Sequence, residues 1–144
     1  HCASLGKGLD LDNSTGNRYV DNFTLFARMM DEPGYEGRLF GELSAVTQIN
    51  RVRNGLKTLV TRTDWHPRLI NGSDYPLPGV MPLFSVKQLT RLGYLEESAG
   101  ATLVEIRRYN PLLFDFVLKR SLNIDGKRLS QVVFESRRVF TNSR

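Results

Sequence analysis

The sequence predicts an α/β domain in which short parallel strands alternate with helices. Three observations point there. Apolar residues fall in the order strand end, helix, strand, helix, strand, helix, and strands separated by helices pair in parallel. The strand-like runs are short and end in Gly, Asn, Ser, Asp or Pro. The 144 residues are 40% hydrophobic, which suffices for a single domain over residues 1–144 with its own core. Three strand–helix units are too few for a closed barrel. They make either a half-barrel or a small open sheet.

The elements follow in order. Gly6 to Asn17 is rich in Gly, Asp, Asn and Ser and reads as a loop. Val20, Phe23, Phe26, Ala27 and Met30 recur at helical spacing, and Asp31-Glu32-Pro33-Gly34 stops that helix. Arg38 to Val46 is partly alternating, as a strand is. Arg51 to Arg62 is helical, with Val52, Leu56, Leu59 and Val60 on one face. Arg68 to Asn71 is a very short strand that runs into Gly72-Ser73-Asp74. Tyr75 to Pro82 holds three prolines and a glycine and is a loop. Met81 to Leu92 and Glu96 to Arg108 read as helices. Asn110-Pro111 supplies an N-cap and a first-turn proline for a last helix to about Leu122. Its apolar face is read as Leu112, Leu113, Phe116 and Val117. Leu129 to Phe140 has no clear period and is expected to be an extended segment wrapping the surface.

Composition narrows the function classes. The formal net charge is +5, with a sequence pI of about 9.7. Much of the excess sits late, at Arg107, Arg108, Lys119, Arg120, Lys127, Arg128, Arg137, Arg138 and Arg144. No nucleic-acid motif accompanies it, so a solvated basic face is expected and no nucleic-acid partner. No apolar run approaches the ~20 residues of a membrane span, and no signal peptide is visible. The lone cysteine, Cys2, excludes an internal disulfide and fits a reducing, cytoplasmic compartment. The sequons Asn13-Ser14-Thr15, Asn22-Phe23-Thr24 and Asn71-Gly72-Ser73 are then read as chance. The absence of an initiator Met before His1 suggests a chain cut inside an element.

Few residues are placed to do chemistry. Asp74 ends a predicted strand, where parallel α/β folds carry their sites. A carboxylate there can bind a metal and accept a proton. Spacing alone favours an Asp capping the next turn. His1 precedes the Gly-rich loop and is either a ligand or a frayed terminal residue. Glu42 and Ser44 end the middle strand as substrate-facing or capping groups. His66 precedes its strand, which assigns it to the opposite, structural face. Cys2 reads as a small buried residue. No Cys/His cluster has zinc-ligand spacing, and no Gly-rich phosphate loop is present.

The run Leu69-Ile70-Asn71-Gly72-Ser73-Asp74-Tyr75-Pro76 resembles the end of the eighth barrel strand in the amidohydrolase superfamily, in its branch of TIM-barrel metal-dependent hydrolases. Arg38 to Asn50 is similar to the seventh strand, where many members have Asp at the position of Glu42. His1-Cys2-Ala3-Ser4 resembles the end of the sixth strand. Tyr109 to Arg120 resembles the closing helix. The resemblance implies the C-terminal half of a (β/α)8 TIM barrel, about three βα units plus C-terminal helices. It implies Asp74 and His1 as metal-binding and catalytic residues, and a divalent ion, zinc, in the full-length parent. The reaction would be hydrolysis of an amide, ester or lactone in a small-molecule substrate, with decarboxylation as the alternative. The first-strand His-x-His pair and the fourth- and fifth-strand ligands have no counterpart, so this chain alone is expected to be inactive. Open sheet edges lead to an expected homo-oligomer.

Overall fold

The computed structural model describes residues 1–14, 16 and 18–141. Thr15 of the first sequon, Asn17 of the Gly-rich loop and Arg144 of the basic set lie outside the described residues. The architecture is mixed α/β, with two small sheets. Strand β1 (Lys7–Leu9) pairs antiparallel with β2 (Tyr19–Asp21), and α1 (Asn22–Asp31) follows at once. Strand β3 (Gly41–Glu42) leads through a series of turns to α2 (Leu56–Thr61). A 3₁₀ segment (Thr63–Arg68) feeds β4 (Leu69–Ile70). Helices α3 (Val86–Arg91), α4 (Ala99–Tyr109) and α5 (Pro111–Ser121) come next. A 3₁₀ turn (Gln131–Phe134) and α6 (Arg137–Thr141) close the described chain.

The expected parallel pairing exists between β3 and β4, with Gly41 opposite Leu69 and Glu42 opposite Ile70. It is much shorter than Arg38 to Val46. The chain leaves the sheet because Ser44 turns its N–H back to the Glu42 carboxylate at 2.9 Å, and Ala45 adopts a left-handed φ of 58°. A third parallel strand does not form at His1. Cys2 and Ala3 both take left-handed φ angles, and a Ser4 N–H to His1 carbonyl bond closes a turn there.

The Gly6–Asn17 segment is not loop throughout, since Lys7–Leu9 forms the antiparallel ribbon. Its Gly8 is packed so closely that a Cβ would meet Asn22 Oδ1 at 2.5 Å. Arg28 of α1 bonds both oxygens of the buried Asp10, at 2.7 and 2.9 Å, and so pins the rest of that segment. Helix α3 begins at Val86 rather than Met81. Ser85 provides the cap, accepting the Gln88 N–H at 3.1 Å. The Asn110-Pro111 start of α5 is as the sequence predicts, with Asn110 accepting the Leu113 N–H at 2.9 Å.

Two expectations about the C-terminal part are corrected. Helix α5 does not bury Leu112, Leu113 and Phe116, which are 52%, 46% and 41% exposed. It turns Phe114, Leu118 and the ion pair Asp115–Lys119 inward instead, where Lys119 bonds both Asp115 and the Gly72 carbonyl. The tail is not an extended wrap. Val133 is fully buried and draws the segment into a 3₁₀ turn against β4. The free edge of β4 is thereby closed: the Asn71 N–H donates to the Val133 carbonyl at 2.9 Å, and Arg138 reaches the Leu69 carbonyl at 3.4 Å.

The core joins Phe26, Met30, Leu43, Leu59, Trp65, Leu69, Phe114 and Leu118. Beneath it, Trp65 donates its indole N–H to Asp31 at 3.0 Å, and the Arg62 guanidinium lies 4.3 Å over the Trp65 ring. Among the described residues no helix is long and apolar enough to cross a membrane.

If the tail seals β4, placing a charge at its anchor should open it. Val133→Asp should cost about 3 kcal/mol or more, because an unpaired carboxylate would be buried. Truncation before Leu129 should lower the urea midpoint and raise the sedimentation-equilibrium mass above the 16.4 kDa of one chain. A truncated chain that stays monomeric and equally stable would show that the edge needs no cover.

Candidate functional site

The C-terminal ends of β3 and β4 bring three of the four strand-end candidates to one place and add His1 from the turn before β1. The His1 imidazole Nδ1 lies 3.0 Å from the Ser44 carbonyl. A carbonyl only accepts, so Nδ1 carries the hydrogen. The other ring nitrogen, Nε2, faces Asp74 Oδ2 at 3.5 Å. The His1 main-chain nitrogen lies 3.3 Å from Glu42 Oε2. Glu42 Oε1 takes the Ser44 N–H and also the Ser44 hydroxyl. His1 and Asp74 are 41% and 32% exposed, so the pair stands at an accessible rim.

With Nδ1 protonated, a neutral His1 turns a lone pair toward an Asp74 oxygen. Two electron-rich atoms facing across 3.5 Å repel unless a proton or a metal ion joins them. The spacing suits the second case as well as the first. Ligand bonds of about 2.0–2.1 Å at a tetrahedral angle put neighbouring donors roughly 3.3–3.4 Å apart. The donors therefore fit one edge of a coordination shell. Among the described residues no group of three or more His, Cys, Asp or Glu is arranged to hold a metal, so these two do not complete one.

Asp74 owes its position to Gly72 and to its own backbone. Asp74 has a left-handed φ of 56°, a conformation that Asp tolerates better than most residues. Gly72 lies so close to β3 that a Cβ would meet Glu42 Oε1 at 1.7 Å and Ser44 Oγ at 2.7 Å. On the other side, Lys119 of α5 donates to the Gly72 carbonyl at 2.5 Å and to Asp115 at 2.7 Å. Burial pushes the Lys119 ammonium down and the Asp115 carboxyl up from their ordinary values, and the attraction between the two opposes both changes. The sequence reading passed over Lys119 and Asp115. Their signal was present as opposite charges at i, i+4 within a largely apolar helix.

The other candidates take structural roles. His66 is buried, ahead of β4 and away from Asp74. Its Nδ1 accepts the Ser130 N–H at 3.2 Å, so Nε2–H donates to the Leu59 carbonyl at 3.1 Å and the ring is neutral. Cys2 is buried with its thiol on the Glu42 carbonyl at 3.2 Å, and burial pushes that thiol up to about 12. A groove of about 730 Å³ between α3 and α4 is lined by Val86, Thr90, Gly100 and Val104 among others and shares no residue with the His1–Asp74 rim.

Comparison of the chain with family models, with curated proteins and with solved structures finds no match.

Two tests follow from these contacts. Gly72→Ala should destabilise by about 1–3 kcal/mol, the usual range for overpacking. In a Glu42→Ala background the same change should cost less, because the obstructing carboxylate is gone. Equal costs in both backgrounds would refute the contact. Burial pushes the His66 imidazole below its ordinary value. Below about pH 6.5 the unfolded chain takes up a proton that the folded chain refuses, so stability falls as pH falls. The urea midpoint should drop from pH 7.5 to 5.5, and His66→Gln should flatten that slope.

Proposed function

We propose that this chain is the C-terminal part of an amidohydrolase-like, metal-dependent hydrolase acting on an amide, ester or lactone of a small molecule. The observation that carries the reading is the meeting of His1 Nε2 and Asp74 Oδ2, 3.5 Å apart, beyond the ends of a parallel strand pair. The residue types, their placement after the strands and the Gly-Ser-Asp-Tyr-Pro run support it together. A half-barrel of the (β/α)8 type, a zinc ion in the complete enzyme and a cytoplasmic setting belong to the same proposal.

In this reading His1 would help hold a divalent ion while its Nδ1–H stays on the Ser44 carbonyl, which fixes the ring and its tautomer. Asp74 would help hold the ion and would accept a proton from water. Glu42 braces the main chain of His1 and the Ser44 turn, and so keeps both at the rim. The chemistry a divalent ion supplies there is Lewis acidity toward water and a substrate carbonyl. The remaining ligands come from the strands that precede this part.

A second reading, a non-catalytic α/β module, draws support from the closed edge of β4 and from the lack of a third ligand among the described residues. Zinc titration separates the two. The hydrolase reading expects weak binding that shifts the His1 ring signals in NMR and is lost in Asp74→Ala, since two ligands fall short of the three or more that a stable zinc site uses. No zinc-dependent shift at His1 favours the module. Micromolar or tighter binding would mean that this chain holds a complete site and is no partial one.

A further inference from the structure

We infer that Lys119, anchored by Asp115, is the positioning residue of the site: it fixes the Gly72 carbonyl and through it aims Asp74 at His1. The inference rests on the reading of His1 and Asp74 as the site.

The first support is what α5 chooses to bury. The helix has an apolar surface at Leu112, Leu113 and Phe116, yet it leaves these residues about half exposed and buries a charged pair. Lys119 and Asp115 are 0% and 1% exposed as side chains. Withdrawing two charges from water is expensive, and well-packed apolar residues in their place often serve stability as well or better. A buried pair of this kind is retained where it specifies a conformation. The conformation is named by its third partner, the Gly72 carbonyl, 47 residues away in sequence and 2.5 Å from the ammonium.

The second support is the clamp this makes. Lys119 bonds the Gly72 carbonyl, and the Glu42 carboxylate fills the space that a Cβ on Gly72 would need. Two residues later the chain reaches Asp74 in a left-handed conformation, and the Asp74 carbonyl then accepts the Leu77 N–H at 2.9 Å. A fixed Gly72 and a fixed turn after Asp74 leave the carboxylate little choice of direction. Ser73 tightens the same turn by accepting the Tyr75 N–H at 3.2 Å. The pair also lies within electrostatic reach of the rim: Lys119 interacts with Glu42, and Asp115 with both Glu42 and Asp74. The hydrogen bonds of Lys119 go to the Gly72 carbonyl and to Asp115. It acts through the backbone.

The test uses the full chain and the double variant Lys119→Met/Asp115→Leu, which exchanges the pair for apolar residues of similar size. The variant is expected to fold with a urea midpoint no lower than wild type. It is expected to lose the nuclear Overhauser contacts between the His1 ring and the Asp74 β-protons. At a fixed, sub-saturating zinc concentration its zinc-induced His1 shift should fall about tenfold, the lower range for losing support behind a metal ligand. A folded double variant that keeps both the contacts and the zinc response would overturn the inference and leave Lys119 a packing residue.

Should the variant not fold, the wild type decides. A scalar coupling between Lys119 Nζ and the Gly72 carbonyl carbon must be present across their hydrogen bond, and its absence refutes the proposal. If zinc moves no His1 signal in the wild type, the metal reading fails alone, and the His1–Asp74 contacts still judge Lys119.

Discussion

A parallel contact of two residues on each side, Gly41–Glu42 against Leu69–Ile70, holds the rest of the molecule in place. It is short enough to depend on close approach. A Cβ on Gly41 would meet Leu69, Phe26 and Cys2 at 2.8–2.9 Å, so only glycine lets β3 come down onto β4, the first helix and the N-terminal turn together. Gly72 repeats the device at the upper end of the same pair. Between these glycines the two strands stop at one level, and Glu42, Ser44 and Asp74 emerge beside His1. Below them Leu43 and Leu69 enter the core with Trp65 and Met30. The rim and the core are two ends of one strand contact.

So small a sheet leaves much of the backbone irregular, and irregular backbone leaves carbonyls without ladder partners. Each buried carbonyl must find a donor or cost free energy. In this chain many of the donors are backbone N–H groups in turns, and cationic side chains supply others. Arg107 serves the carbonyls of Pro78, Phe84 and Val80 at 2.7, 3.0 and 2.9 Å, and so holds the Pro-rich loop that follows Asp74. Arg68 bonds the Met30 carbonyl, Lys127 that of Thr61, Arg138 those of Val132 and Leu69, and Lys119 that of Gly72. Several of the cations that give the chain its basic balance therefore bind the protein itself. Burial pushes Arg107 below its ordinary value, and among the described residues no carboxylate is bonded to it.

The site was legible where its signal was local. Gly72-Ser73-Asp74 announces a turn after an apolar run, and the turn is there. Asn110-Pro111 announces a capped helix, and Asn110 makes the cap bond. His66, which precedes its strand, reads as structural, and its two ring nitrogens are satisfied inside the fold. The reading failed where distant segments decide. The ribbon of β1 and β2 was hidden because Lys7–Leu9 has few strand-forming residues and is flanked by distant anchors, Asn22 on the Leu5 carbonyl and Arg28 on Asp10. The face of α5 was misassigned because periodicity counts apolar residues and gives no credit for a buried ion pair.

By itself the sequence determined α1, α4 and α5, the Asn110 cap, the alternation that makes β3 and β4 parallel, and Asp74 as a carboxylate beyond a strand end. Those features rest on spacing, backbone restriction and side-chain oxygens within a few residues of the groups they serve. Only the tertiary structure decided that His1 faces Asp74, that the tail closes β4 and that Lys119 lies behind Gly72. Each of these joins residues dozens of positions apart. Their energies come from desolvation and from hydrogen bonds to the main chain, which leave no periodic trace in a one-dimensional pattern.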